Sequence, residues 1–410
     1  MWTPWWVETE NLRYEGIVKA IAEDIGNGRL QPGERLPPQR DVAFRLGLAL
    51  GTVTRAYAEA ERRGLLIAQV GRGSFIAEIP ALEQERRIDF SHNLPPAAPA
   101  RAYFAGAFSQ LRRRSDLLDE LNYGPPEGWE RDRRAGQAWI AMVTSGWEGP
   151  DWRKIICCVG AQQAMLFAVE AATPRGSPLI AEEGTFWGLH DLVSYTGHRL
   201  VPAALDHEGL RPDALEQAAR TSGARVAYIL PFQNPTARVM SLERRNAIVE
   251  VARRLDLLLI EDDLYSAFGA DGGPPPIAAL APERTFYING VSKVLAPGLR
   301  TAYLAPPPGD SHQRIVTAIR ATMYCPPNLG AGIVSQWIKD GAAEEIRLAV
   351  KAEMRARVAM AQDILGARME PPSTGESLHV WLPMPTADAE AITRRALRRR
   401  VEPTPPKAPL

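Results

Sequence analysis

The chain has 410 residues, 45% of them apolar, enough to bury a large core and to fill two or three domains. Lys plus Arg and Asp plus Glu number 48 each, so net charge points to no anionic partner, and any nucleic-acid surface has to be a local patch. Three cysteines, Cys157, Cys158 and Cys325, are too few and too poorly spaced for a disulfide framework or a zinc site; they fit a reducing cytoplasm, and with no run of about 18 apolar residues neither secretion nor a membrane span is expected.

Trp2, Trp5 and Trp6 precede the first helical pattern and are expected to pack locally or against a partner subunit. From Arg13 to Asn27 the apolar residues Ile17, Ala20, Ile21 and Ile25 recur with a helical period, and Gly28 follows. Leu36-Pro37-Pro38 punctuates the chain; helical patterns then cover Gln39 to Leu46 and Gly51 to Arg63, with a turn at Gly47 between them. "LIAQVGRGSFIAEI" alternates around Gly71-Arg72-Gly73, which predicts two short strands and a tight turn. This order is helix, turn, helix and wing. Residues 79–90 are charged and show no period, so they are expected to be a linker. From about Asp89 onward, apolar runs at "KIICCV", "PLIAEE", "VAYILP", "LDLLLIEDD", "TFYING" and "TAYLAP" alternate with helical segments, which predicts an α/β unit with a mostly parallel sheet and helices on both faces.

Polar residues gather at the ends of those runs, where α/β sheets bind ligands. Gly160-Ala161-Gln162-Gln163 opens a helix whose amides can hold a phosphate. Asn234 follows "VAYILP" on a Pro-fixed turn, Asp262 and Tyr265 stand three apart after "LDLLLIE", and Ser292, Lys293 and Arg300 follow "TFYING". Pyridoxal phosphate requires this set: an amine for a Schiff base, a carboxylate for the ring nitrogen, donors for the ring oxygen, and amides with a cation for the phosphate. Other chemistries lack their signatures. The histidines have no metal-ligand spacing, so no metal site is expected, and neither a dinucleotide fingerprint nor a nucleophile elbow occurs.

Residues 11–78, with Pro-Gly, Leu-Pro, Arg, Gly, Thr-Val and Gly-Arg-Gly in that order, resemble the winged helix-turn-helix of the GntR family. The resemblance implies DNA as partner, with the second helix of the motif in the major groove. Arg40 and Arg55 would contact phosphate or base edges, Thr52 would start the reading helix, and Arg72 would reach from the wing. Ala49-Leu50-Gly51 departs from the family's Ser/Thr-then-Arg and so lacks a hydroxyl and a cation there.

The remainder resembles fold-type I aminotransferases, and residues 11–385 together resemble the MocR subgroup of GntR regulators. By that resemblance Lys293 is the Schiff-base lysine, Asp262 the partner of the pyridine nitrogen, and Tyr265 and Asn234 the residues on the ring oxygen. Gly160, Ala161, Gln162, Ser292 and Arg300 would bind phosphate, and Phe186 in "EEGTFWG" would stack on the ring. Tyr123 in "NYGPPEG" matches a tyrosine lent by a neighbouring subunit, which implies a homodimer. Ala237 stands where the family has glycine, and Gly290 where many relatives have a hydroxyl. A large domain is expected over 91–305 and a small α/β domain over 306–410; the latter is expected to be C-terminally incomplete, because "RRRVEPTPPKAPL" ends before the strand that carries the family's carboxylate-binding arginine, and Arg394, Arg395 and Arg398 to Arg400 lie on a basic helical pattern instead. The expected function is a cytoplasmic transcription regulator that binds DNA and pyridoxal phosphate and senses the cofactor or an amine or amino-acid effector. The alternative is a pyridoxal-phosphate-dependent aminotransferase with a degenerate DNA-binding module.

Overall fold

The structure, a computed structural model, describes residues 2, 13–27, 29–69, 72–77, 88–114, 116 and 121–404. Two compact units divide it, Met1–Arg87 and Ile88–Leu410. Trp5, Trp6, Gly28, Gly71 and residues 79–87 of the expected linker lie outside the described residues.

In the first unit, helix α1 (Arg13–Gly26) turns Ile17, Val18 and Ile21 into a core shared with Val42 and Ala43 of α2 (Gln39–Leu46) and Val53, Ala56, Tyr57 and Ala60 of α3 (Leu50–Arg62). Strands β1 (Leu66–Gln69) and β2 (Gly73–Ile76) form an antiparallel hairpin whose Leu66 and Ile76 close that core. Helix α2 stops where it does because Gly47 adopts a left-handed φ of 62° and its amide reaches the Ala43 and Phe44 carbonyls. Tyr57 ties α3 to the approach of α2 by donating to the Pro37 carbonyl at 2.8 Å. Helix α3 starts at Leu50, one residue earlier than its pattern predicts, and Ala49 gives it no side-chain cap. Trp2 packs locally, its indole Nε1 donating to Asp24 at 2.7 Å.

The second unit opens with strand β3 (Ile88–Phe90) and helices α4 (Ala97–Leu111) and α5 (Glu130–Val143). An alternating series then runs β4 (Ile156–Val159), α6 (Ala161–Ala172), β5 (Pro178–Glu182), α7 (Trp187–Thr196), β6 (Arg199–Ala203), the small hairpin β7 (Leu205–Asp206) and β8 (Gly209–Leu210), α8 (Pro212–Ser222), β9 (Val226–Ile229), α9 (Leu242–Arg254), β10 (Leu258–Asp262), α10 (Ile277–Leu280), β11 (Thr285–Gly290) and β12 (Thr301–Ala305). Helices α11 (Ser311–Thr322), α12 (Asn328–Lys339), α13 (Ala342–Leu365) and α14 (Thr386–Arg398) and strand β13 (Val401–Pro403) complete it. Seven strands make one sheet in the order β4-β12-β11-β10-β9-β5-β6; β12 alone runs antiparallel to its neighbours.

Alternation along β11 shows how the sheet divides two cores. Phe286 and Ile288 join Met165, Leu189 and Ile315 on one face, while Tyr287 joins Trp139, Tyr303 and Trp337 on the other. Both faces are covered, which is why these strands read as unbroken apolar runs. Two differences from the sequence reading have physical causes. Strand β6 carries no apolar run because it is an edge strand with an exposed Pro202, a position where a missing amide donor is tolerated. Ile88–Phe90, expected to be linker, pair in parallel with β13, more than 300 residues away in sequence, and a three-residue strand leaves no local period. Among the described residues, no helix is long and apolar enough to cross a membrane.

Candidate functional site

The carboxyl ends of β4, β9, β10 and β11 lead into the candidate site residues along a common edge of the sheet. Asp262 ends β10 and is buried; Tyr228, its neighbour on β9, donates a hydrogen bond to its Oδ2 at 2.7 Å. Burial raises the Asp262 carboxyl above its usual range, opposed by that phenol, by the Leu264 amide and by the charge of Lys293. Three residues on, the buried Tyr265 hydroxyl accepts from Asn93 Nδ2 at 2.8 Å and lies 3.5 Å from Asn234 Nδ2. Lys293 follows β11, and its Nζ lies 5.8 Å from the centre of the Tyr265 ring. Burial holds this amine below the usual lysine range; Asp262 opposes the shift and Arg300 adds to it. A lysine so depressed has more of the neutral, nucleophilic form that covalent chemistry requires.

Arg300 sits in the left-handed region, φ 48°, and donates to the Val159 carbonyl at 3.1 Å. Its guanidinium lies directly over Gly160, so closely that a side chain there would collide with it, and Gly160 itself has φ 76° at the start of α6. The first amides of a helix lack intrahelical partners. A cation held against them makes an anion site, with Ala161 and Gln162 in the first turn. Gln162 is also fixed by donating 2.7 Å to the Gly188 carbonyl, and Phe186 stands half-buried at the start of α7. Ser292 is half-buried beside Lys293. Tyr123 stands apart from this group: it is 80% exposed, edge-on to Tyr324 with ring centres 5.0 Å apart.

The two family departures find local explanations. Ala237 adopts φ 57°, a conformation glycine takes at no cost, and the turn is held by the Arg238–Glu370 ion pair at 2.7 Å and by Ser373, which donates to the Ala237 carbonyl at 3.2 Å. At Gly290 an added Cβ would lie 3.1 Å from Ala302 and 3.2 Å from Leu264, so there is little room for a hydroxyl-bearing side chain.

Four further residues shape the site and have no local sequence signature. Gln233 is buried, donates to Glu182 Oε2 at 2.9 Å and accepts from the Thr236 amide and hydroxyl at 2.8 and 2.7 Å, fixing the turn that presents Asn234. Asn93 and His379 approach each other and Tyr265. Burial pushes Glu182 up to about 8, despite donors from Leu230 and Gln233. The folded chain thus holds this proton more tightly than the unfolded chain, whose glutamate titrates near 4.5. Its stabilising contribution is complete below the unfolded value and is lost as pH rises through about 8. Glu182→Gln is therefore expected to flatten the decline of melting temperature between pH 5 and pH 8.5 in the cofactor-free chain; Glu261, which burial also raises, adds to the same decline and is untouched by the change. An unaltered slope would show that Glu182 does not titrate in this range.

In the first unit, Arg40 and Arg72 are exposed and have no ion pair or side-chain hydrogen bond among the described residues. Arg55 is also exposed, but its guanidinium stacks 4.3 Å over the Tyr14 ring. Thr52 is half-buried in the first turn of α3, and Leu50, where the cation is missing, is 43% exposed.

A winged helix-turn-helix joined to an aminotransferase-type α/β body defines the class. The profile of bacterial regulatory proteins of the gntR family matches residues 13–76, and that of aminotransferase class I and II matches residues 122–378. The chain belongs to the class I and II aminotransferase family and joins that fold to a GntR-type helix-turn-helix. It is 29% identical over 318 residues to the HTH-type transcriptional regulator YdeF of Bacillus subtilis, a match covering 75% of this chain and 67% of the relative. The pyridoxine biosynthesis transcriptional regulator PdxR of Corynebacterium glutamicum is 25% identical, with coverage of 85% and 78%. The 2-aminoadipate transaminase of Thermus thermophilus is 27% identical, with coverage of 80% and 84%. Among solved structures, the α-aminoadipate aminotransferase LysN of Thermus thermophilus superimposes with a TM-score of 0.65 at 28% identity, over 77% of this chain and 82% of that one.

Proposed function

We propose that this chain is a DNA-binding transcription regulator whose aminotransferase-fold body holds pyridoxal phosphate and senses it, or senses an amine that reacts with it. The observation that carries the reading is the union, in one polypeptide, of a helix-turn-helix whose exposed Arg40 and Arg72 are unpaired among the described residues and a pocket edge that assembles Lys293, Asp262, Tyr265 and Arg300. The residues fit the cofactor. Gly160 leaves the space that brings the Arg300 guanidinium to the start of α6, as a phosphate site needs, and Asp262 is a buried carboxylate near the half-buried amine of Lys293.

When bound, pyridoxal phosphate supplies an aldehyde that bonds to a primary amine and a ring that accepts electrons. Lys293 is the amine in this account. Asp262 would pair with the ring nitrogen, its charge steadied by Tyr228, while Tyr265 and Asn234 would face the ring oxygen. Gly160, Ala161, Gln162, Ser292 and Arg300 would hold the phosphate, and Phe186 would cover the ring. The exposed Tyr123 supports a homodimer in which a second copy takes up that side chain. Relatives named as regulators favour regulation; the 27% identity to a transaminase favours the second reading, an aminotransferase acting on amino acids.

Genome-wide DNA binding by the full chain in cofactor-replete and cofactor-depleted cells separates the two. Discrete sites whose occupancy changes with the cofactor are expected. Absence of such sites, together with rapid amino-acid-driven conversion of the bound aldehyde to an amine, would favour the transaminase.

A further inference from the structure

Asn93 makes contacts that none of the roles above requires. It lies three residues beyond β3, near the point where the chain enters the α/β unit, and belongs to no helix or strand. Its backbone carbonyl accepts a hydrogen bond from Lys293 Nζ at 3.0 Å. Its side-chain amide donates to the Tyr265 hydroxyl at 2.8 Å and lies 3.1 Å from His379 Nδ1. These partners are 200, 172 and 286 residues away in sequence, so the contacts are tertiary and are not by-products of a local turn.

The hydrogen-bond inventory fixes the direction of each link. An amide nitrogen only donates, so His379 Nδ1 accepts, and a neutral imidazole then carries its proton on Nε2. Burial holds His379 down to about 4, with the Lys293 charge adding to the effect, so the ring is neutral near pH 7. The Tyr265 oxygen, already accepting from Asn93, keeps its own proton free for another acceptor. The other charged groups acting here are Asp262, on Lys293 and Tyr265, and Arg300, on Lys293.

We infer that Asn93 is a positioning residue of the cofactor pocket, fixing the Tyr265 hydroxyl through its amide and holding the free Lys293 amine through its carbonyl until a cofactor draws on that amine. This rests on the pyridoxal phosphate reading above. It adds a residue that ties the reactive lysine to the stretch of chain beside β3, and it gives His379 a role as the acceptor that keeps the Asn93 amide turned toward Tyr265.

Full-length chain carrying Asn93→Ala, Asn93→Asp or His379→Ala, titrated with pyridoxal phosphate, tests the inference. Asn93→Ala is expected to raise the Kd read from the visible absorbance band about five-fold, the factor one net hydrogen bond supplies, and to move the pH midpoint of that band by about half a unit or more. His379→Ala should shift both in the same direction by less. Asn93→Asp cannot donate to Tyr265 and adds a carboxylate near Lys293, so it is expected to load cofactor more slowly than either the wild type or Asn93→Ala. A wild-type chain that takes up no pyridoxal phosphate overturns the pocket reading itself. A wild type that loads, with folded variants that match it in Kd, midpoint and loading rate, overturns the role of Asn93 alone.

Discussion

Lys293→Ala is expected to abolish the imine absorbance band of the cofactor-loaded chain, and borohydride treatment, which should fix the cofactor to a peptide containing Lys293 in the wild type, should then fix none. The expectation follows from chemistry that no neighbour can replace. Asp262 and Arg300 act on the amine of Lys293, and the other side chains assembled around it, Tyr265, Asn93 and Asn234, carry no primary amine. Alanine at 293 leaves the Arg300 and α6 site intact, so weak retention of the free aldehyde through its phosphate should survive. Borohydride labelling of any other lysine in the wild type would reject the assignment. The loss is all-or-none for the covalent link, which makes it the largest effect anticipated for the α/β unit.

For the helix-turn-helix, the double replacement Arg40→Ala with Arg72→Ala is expected to weaken DNA binding roughly thirty-fold at physiological salt and to flatten the slope of log affinity against log salt by about two. Each cation that neutralises one phosphate releases condensed counterions and contributes a slope of about 0.9, which amounts to about five-fold per contact near 0.15 M salt. Arg40 and Arg72 qualify because both are exposed and unpaired among the described residues, whereas Arg55 already rests on Tyr14. An unchanged slope would place the phosphate contacts on other residues. Uniform weakening across sequences distinguishes phosphate contacts from base readout.

The parts legible in the sequence are those fixed by local chemistry. Helix α2 runs from Gln39 to Leu46, as its pattern predicts, because Pro38 precedes it and a left-handed Gly47 ends it. The six apolar runs became sheet strands because both sheet faces are buried, whereas β6, β3 and β13 left no run to read, being an edge strand and two three-residue strands. Lys293, Asp262, Tyr265, Asn234 and Arg300 could be singled out because each ends or follows a strand at the sheet edge where such folds bind ligands. Asn93, His379, Glu182 and Gln233 could not. Their meaning lies in contacts such as that between Asn93 and His379, which no spacing along the chain encodes. Ala237 stands between these cases: the sequence marks a departure from glycine, and only the backbone shows that alanine here adopts a left-handed conformation open to glycine at no cost.

The central claim is that the pocket and the DNA-binding module belong to one sensing protein, and linkage makes it measurable. If a ligand of the pocket changes affinity for DNA by some factor, DNA must change affinity for that ligand by the same factor. Four titrations of the full chain suffice: DNA with and without saturating pyridoxal phosphate, and pyridoxal phosphate with and without saturating DNA, repeated with an amino acid as the added effector. The account predicts equal factors in the two directions, of about five-fold or more for the cofactor or for the effector. Affinities that are the same with and without the other ligand, in every titration, would contradict it.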